Sequence, residues 1–411
     1  MLRFYSSIAL LVFCLTGCVD KSRDIASPLP DSGGTDTPAD TGGDSSSATF
    51  DRAALMVNLV DNIFIPNYQA TATLANTFSA DSGSLATYCV SIGTADEATS
   101  LSAAQTGWST LMDSVQKTEM HVVGPALRND EALQKRVHSY TTGSLATCGL
   151  DQAVVGSSDD SFQVSNRAFN QRGMAAIEYL LFNSNLNHSC SSQVTATASW
   201  NDLPESDRKT QRCELAEKLA DDIAVASNLI HSQWTEGDNA YREEFLLAES
   251  LGENFQLITD GMFYLETFTK SQKLMTPLGL NDKCGSPTCP GLVESPYSES
   301  SLRNIQTNSA EFLKIFNGGD GLGFDDLIND EEFPEISLRF QNQLSDVDSK
   351  INQIVDSLSD QIALVEADAN DPACVNAFVN PDQESTIEVC SLAGLIKRVT
   401  DDLKIEFVTI V

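Results

Sequence analysis

The chain has 411 residues, with 58 Asp and Glu against 25 Lys and Arg, a net charge of −33. So acidic a protein repels nucleic acid and anionic polysaccharide and attracts cations or basic partners, while the same acidity serves solubility alone. Its length gives ample sequence for a core and for more than one domain.

Residues 1–17 read as a lipoprotein signal peptide. Arg3 gives a positive start, Ile8 to Leu15 is a short apolar run, and Leu15-Thr16-Gly17-Cys18 matches a lipobox. The run is too short to span a bilayer. Cleavage before Cys18 and lipidation of its thiol tether the chain to a membrane. Val19 beside that Cys favours the outer membrane. Residues 18–49 are rich in Ser, Gly, Pro, Thr and Asp, have almost nothing to bury, and read as a disordered tether spanning on the order of 30 Å.

From residue 50 onward apolar residues recur at steps of three and four, without strand-like alternation. The predicted class is all-α, built of helical bundles. Helices are predicted at about 51–79, 95–123, 129–142, 239–269 and 300–316, and through 215–230, 336–365 and 392–410. Pro66 should kink or interrupt the first. The segment Phe169 to Phe182 is apolar almost all round, so it is expected to be central and buried. Between Gly173 and Phe182 its only charge is Glu178. A carboxylate there must be paired, hydrogen-bonded or protonated. Gly173 lets another helix approach closely. The polar stretch 183–206 divides the body into an N-terminal lobe, 50–200, and a C-terminal lobe, 201–411. A second loop, 278–299, is proline-rich and holds Cys284 and Cys289.

Of ten cysteines, Cys14 leaves with the signal and Cys18 takes lipid, so eight remain. An even number outside the cytosol reads as disulfides. No Cys-x-x-Cys pair supports metal ligation instead. Nearest-in-sequence pairing predicts Cys89–Cys148, Cys190–Cys213, Cys284–Cys289 and Cys374–Cys390, each bracketing a loop or a helix connection.

Gly173-Met174-Ala175-Ala176-Ile177-Glu178, continuing Tyr-Leu-Leu, resembles the Gly-x-His-x-x-Glu signature of the imelysin family, with Ala175 at the His position. Ile65-Pro66-Asn67-Tyr68, the block from Trp108 through Glu119 to Gly124-Pro125, Trp234 to Tyr241, Pro277 to Leu280 and Val293 to Ser298 are similar to further blocks of that family in the same order. The resemblance implies two bundle-like helical lobes with the signature helix near their contact. It also implies a bacterial envelope location and, for many members, a link to iron uptake. The family was first named for an insulin-cleaving peptidase activity.

The residues themselves argue against that activity here. None of His121, His138, His188 and His231 begins a His-Glu-x-x-His zinc motif. His and Glu at i, i+3 of the family signature could hold a metal, but Ala175 cannot ligate and Glu178 alone is a poor transition-metal site. No catalytic residue and no tightly held metal is expected at the signature. Glu178, Glu119 and His121 form a candidate replacement cation site. Against it stands a reading in which Glu178 bonds a backbone group or a Tyr hydroxyl and the other two line a rim. The glycine-rich stretch 317–326 fails the calcium-loop pattern, since Leu322 falls at its third position, and reads as a turn between helices. The expected function is a membrane-anchored envelope lipoprotein with a binding or accessory role in iron or other cation uptake, working beside envelope iron-uptake proteins. The alternatives are a metallopeptidase of the imelysin type and a non-catalytic scaffold.

Overall fold

Pro66 sets the shape of the first helical run. In the computed structural model α1 (Arg52–Leu59) and α2 (Ile65–Ser79) are joined by a π-helical turn, Val60–Phe64. Pro66 has no N–H to give to the preceding turn and its ring crowds that turn's carbonyl, so the helix widens there and continues. The described residues are 50–237, 240–367 and 373–411. The signal peptide, Cys18 and the tether of the sequence analysis lie outside them.

α3 (Ser84–Ser91), α4 (Glu97–Thr118), α5 (Arg128–Val137), α6 (Thr147–Gly156), α7 (Gly173–Phe182) and α8 (Glu205–Thr235) follow. Next come α9 (Tyr241–Phe245), α10 (Leu251–Met262) and a π-helical run, Leu265–Met275. After the proline-rich loop stand α11 (Ser301–Phe316), α12 (Phe324–Asp330), α13 (Pro334–Gln353), α14 (Leu358–Ala367), α15 (Ala373–Val379), α16 (Glu388–Asp402) and α17 (Val408–Ile410). No strand occurs among the described residues, and the fold is all-α. No described helix is long and apolar enough to cross a membrane.

The long helix predicted over 336–365 is two helices. Ser357 opens α14, its hydroxyl accepting from the Asp360 N–H and donating to the Asp360 carboxylate, a capping arrangement that starts a new helix. The helix predicted over 129–142 stops at Val137, because His138 is extended.

Two apolar cores result. One gathers α3, α4, α6, α7 and much of α8, around Trp108, Leu111, Val115, Ile177 and Ile223. The other gathers α1, α10 to α13 and α16, around Leu59, Phe312, Phe316, Phe340 and Phe407. α8 passes through both, with Leu215 to Ala226 in the first and Ile230 and Trp234 in the second. Neither core is confined to one side of residue 200. Leu55 to Tyr68 and Met120 to Ala126 belong to the second.

Four disulfides are present. Cys284–Cys289 and Cys374–Cys390 join sequence neighbours. The other two correct the expected pairing: Cys89 bonds Cys213 and Cys148 bonds Cys190, in place of Cys89–Cys148 and Cys190–Cys213. Neighbours in space are set here by helix packing. α3 lies along α8, which puts Cys89 against Cys213. The loop after α7 folds back on α6, where Ser189 donates its N–H and hydroxyl to Asp151 beside Cys148.

Cys89–Cys213 closes a span of 124 residues, and Cys284–Cys289 a span of 5. Replacing the first pair by Ala is expected to cost about 3–5 kcal/mol, and replacing the second much less. Urea unfolding of the two double variants reads the difference, and equal losses would show that Cys89–Cys213 does not restrain the unfolded chain in this way.

Candidate functional site

The site begins where α7 meets the end of α5. Gly173 has φ +75°, and a Cβ there would lie 2.8 Å from the Val137 carbonyl oxygen. Only glycine allows this seating without a shift. Trp108 Nε1 then donates to the Met174 carbonyl at 3.0 Å, fixing α7 against α4.

One turn later Glu178 is fully buried. Its Oε1 accepts from the Tyr297 N–H at 2.9 Å, the Ser298 N–H at 2.8 Å and the Ser298 hydroxyl at 2.9 Å. Glu178 therefore ties α7 to the proline-rich loop through backbone donors. Burial pushes its carboxyl up to about 7; the Ser298 and Tyr297 donors oppose that rise and nearby Glu294 adds to it.

The expected grouping of Glu178, Glu119 and His121 does not form. α4 runs into a 3-10 turn, Glu119–His121, in which residues two apart point in different directions. His121 Nε2 lies 2.9 Å from Asn67 Nδ2, which also donates to Glu311 at 2.7 Å, and Phe64 stacks on the imidazole at 4.6 Å. Burial holds the His121 imidazole down at about 3, so it stays neutral. Glu119 is held elsewhere, by Lys273.

The groups that do come together are Glu119, His138 and Glu294, whose ligand-capable atoms all lie within 4.8 Å of one another. His138 follows α5, with Nε2 at 2.8 Å from Glu294 Oε1 and 3.7 Å from Glu119 Oε1. Lys273, from the π-helical run, places Nζ 2.7 Å from Glu119 Oε2 and 3.2 Å from Glu294 Oε2. It also donates to Gln116 Oε1 and Asn308 Oδ1. Gln116 and Asn304 each donate to Glu294 at 3.1 Å. The four ionisable side chains are only 1–3 % exposed. Burial alone would raise the Glu294 carboxyl, but Lys273, His138 and Asn304 outweigh it and hold it at about 2. Buried charges survive only with such partners, and removing one typically costs about 3–5 kcal/mol.

Sequence reasoning did not single out Lys273, Glu294 or His138. Lys273 carried a signal: it repeats at helical spacing with buried Leu265, Thr269 and Thr276, so a charge lies on an inward face. Glu294 and His138 sit in irregular backbone, where no periodicity marks a buried side.

A cavity of about 410 Å³ adjoins this centre, with Ala175, Glu178, His138, Glu294, Tyr140 and Tyr297 on its wall. Two carboxylates and an imidazole suit a transition metal in kind. Lys273, however, already supplies the positive charge between them. A divalent ion among the same oxygens would lie within a few ångströms of a fixed ammonium, out of reach of solvent screening. A resident metal does not fit the centre as it stands.

These features define an all-helical protein with a buried ionic centre beside a cavity. The chain belongs to the imelysin family: the Imelysin (Peptidase_M75) model matches residues 64–384. It is similar in fold to the crystal structure of an imelysin-like protein from Psychrobacter arcticum 273-4, with TM-score 0.60, 16% identity, and coverage of 87% of this chain and 96% of that one. It is likewise similar to a putative iron-regulated protein A precursor from Parabacteroides distasonis ATCC 8503, with TM-score 0.58, 17% identity, and coverage of 88% and 98%. No curated protein matches the sequence.

Because Glu178 binds its proton more tightly in the folded state, it favours folding fully below about pH 4.5, and that contribution is lost as pH rises through about 7. Glu178→Gln keeps an acceptor for Tyr297 and Ser298 and removes the ionisation. Its stability relative to the parent is expected to rise by about 1–3 kcal/mol between pH 5 and pH 8. Denaturant unfolding at the two pH values checks this, and a constant difference would mean that the carboxyl titrates in its ordinary range.

Proposed function

We propose that this imelysin-family protein is a lipid-anchored envelope protein that binds a small cationic ligand in the cavity beside α7, serving iron or other cation uptake, and is not a peptidase. The observation that carries the reading is the wall of the 410 Å³ cavity, which combines Glu178 and Glu294 with the apolar Ala175. Ala175 stands where the family signature has imidazole and adds no ligand. The wall thus offers carboxylate oxygens suited to an exchangeable cation more than to a tightly held transition metal. Tyr140 and Tyr297 add ring faces that attract positive charge, and the net charge of −33 raises the local concentration of cations.

Hydrolysis needs an activated water or nucleophile. Glu178 Oε1 is filled by three donors, and Ala175 beside it offers no imidazole to hold a metal that would activate water. The iron-regulated description of the Parabacteroides distasonis neighbour supports an iron-related role. The anchor is Cys18, with residues 18–49 as tether, an outer-membrane location, and envelope iron-uptake proteins as partners.

Metal analysis of the mature protein purified without chelator is expected to find substoichiometric iron and zinc. Titration with ferrous and ferric iron, calcium and magnesium is expected to show saturable, exchangeable binding weakened by Glu178→Gln, with insulin and casein left uncleaved. Stoichiometric iron or zinc lost in Glu178→Ala, proteolysis lost in that variant, or failure to bind any of these cations would overturn the reading.

A further inference from the structure

We infer that Glu119, His138 and Glu294 form a latent divalent-metal site that the ammonium of Lys273 keeps closed. The three donors come from separate places, the 3-10 turn after α4, the residue following α5, and the proline-rich loop, yet their ligand atoms converge within 4.8 Å. A fourth segment, the π-helical run, inserts Lys273 Nζ against both carboxylates, at 2.7 and 3.2 Å. The ammonium is the internal cation of the centre, held in place by Gln116 and Asn308.

Two observations distinguish this centre from an ordinary buried ion pair. There are two carboxylates for one ammonium, so Lys273 neutralises half of the acidic charge, and His138 must serve Glu294 as a hydrogen-bond donor through Nε2. His138 Nδ1 is buried with no hydrogen-bond partner among the described residues. In a metal-bound form, Nε2 would ligate in place of the N–H it now presents to Glu294. The ring's remaining proton would sit on Nδ1, which no described group contacts. The divalent charge would balance both carboxylates. Imidazole with two carboxylates selects zinc, manganese or ferrous iron over bulk calcium and magnesium. The cavity, with His138 and Glu294 on its wall, gives the ion an entry path. Lys273 has to leave, and the Gln116 and Asn304 amides then share the Glu294 oxygens with the ion.

Lys273→Met removes the charge at similar length, and Lys273→Gln retains polar contact with Gln116 and Asn308. In the mature full chain, titration calorimetry and native mass spectrometry with zinc chloride and manganese chloride compare both with the parent. One equivalent of metal per chain is expected in the variants, bound more than about tenfold tighter than in the parent. Adding His138→Gln or Glu294→Gln should abolish the gain. If a variant is unfolded without metal, zinc is expected to restore its helical circular dichroism and a chelator to remove it again. No gain in affinity, a gain unchanged by His138→Gln and Glu294→Gln, or failure of zinc and manganese to refold an unfolded variant would overturn the proposal. Cation binding in the cavity of the unmodified protein is measured separately and stands or falls on its own.

Discussion

The contact between the Lys273 ammonium and the carboxylates of Glu119 and Glu294 is the constraint from which the rest of the site follows. Each of these charges, buried alone, would cost several kcal/mol, and the cluster recovers that cost only when all its members are in place. It therefore fixes α4, the end of α5, the π-helical run, the proline-rich loop and α11 relative to one another. A short piece of that loop carries the constraint outward. Glu294 is held at the centre, and Tyr297 and Ser298 cap Glu178 on α7. The cavity wall is thus set by a carboxylate at each end of one loop segment, one grounded in the ionic centre and the other in the buried helix.

This arrangement shapes what the site can do. The deeper carboxylates already have a permanent cation, and Glu178 already has three donors on one oxygen. What faces the cavity is oriented carboxylate and aromatic surface. In the function proposed above this wall serves reversible binding of a cation, whereas bond cleavage would need a base beside an activated water. α7 is anchored by Gly173, the Met174 carbonyl and Glu178, none of which depends on the side chain at 175.

Much of the fold was legible in the sequence because helices write their buried face locally. The all-α class, the central α7, the close approach at Gly173 and the disturbance at Pro66 all follow from spacing or from one residue's stereochemistry. Glu178 was legible as a carboxylate that needed partners, and a backbone partner was one of its two readings. The identities of those partners were not legible, because Tyr297 and Ser298 lie far along the chain. The ionic centre was hidden for the same reason. Its members are spread from residue 116 to residue 308, and the four ionisable ones sit in a 3-10 turn, just past a helix end, in a π-helical stretch and in a loop. Glu119 and His121 look like a pair in the sequence, but the 3-10 turn that carries them sends one to Lys273 and the other to Asn67. Two of the four disulfides were missed similarly: Cys89 is closer in sequence to Cys148, while α3 is packed on α8.

If the Lys273 contact organises the site, its charges must be energetically coupled and not merely adjacent. A double-mutant cycle of Lys273→Met and Glu119→Gln, read by urea unfolding, measures this directly. Each single variant strands a buried charge and is expected to lose about 3–5 kcal/mol, while the double variant should lose less than the sum by about 2 kcal/mol or more. Losses that simply add, or single variants as stable as the parent, would contradict the central place given to this ion pair.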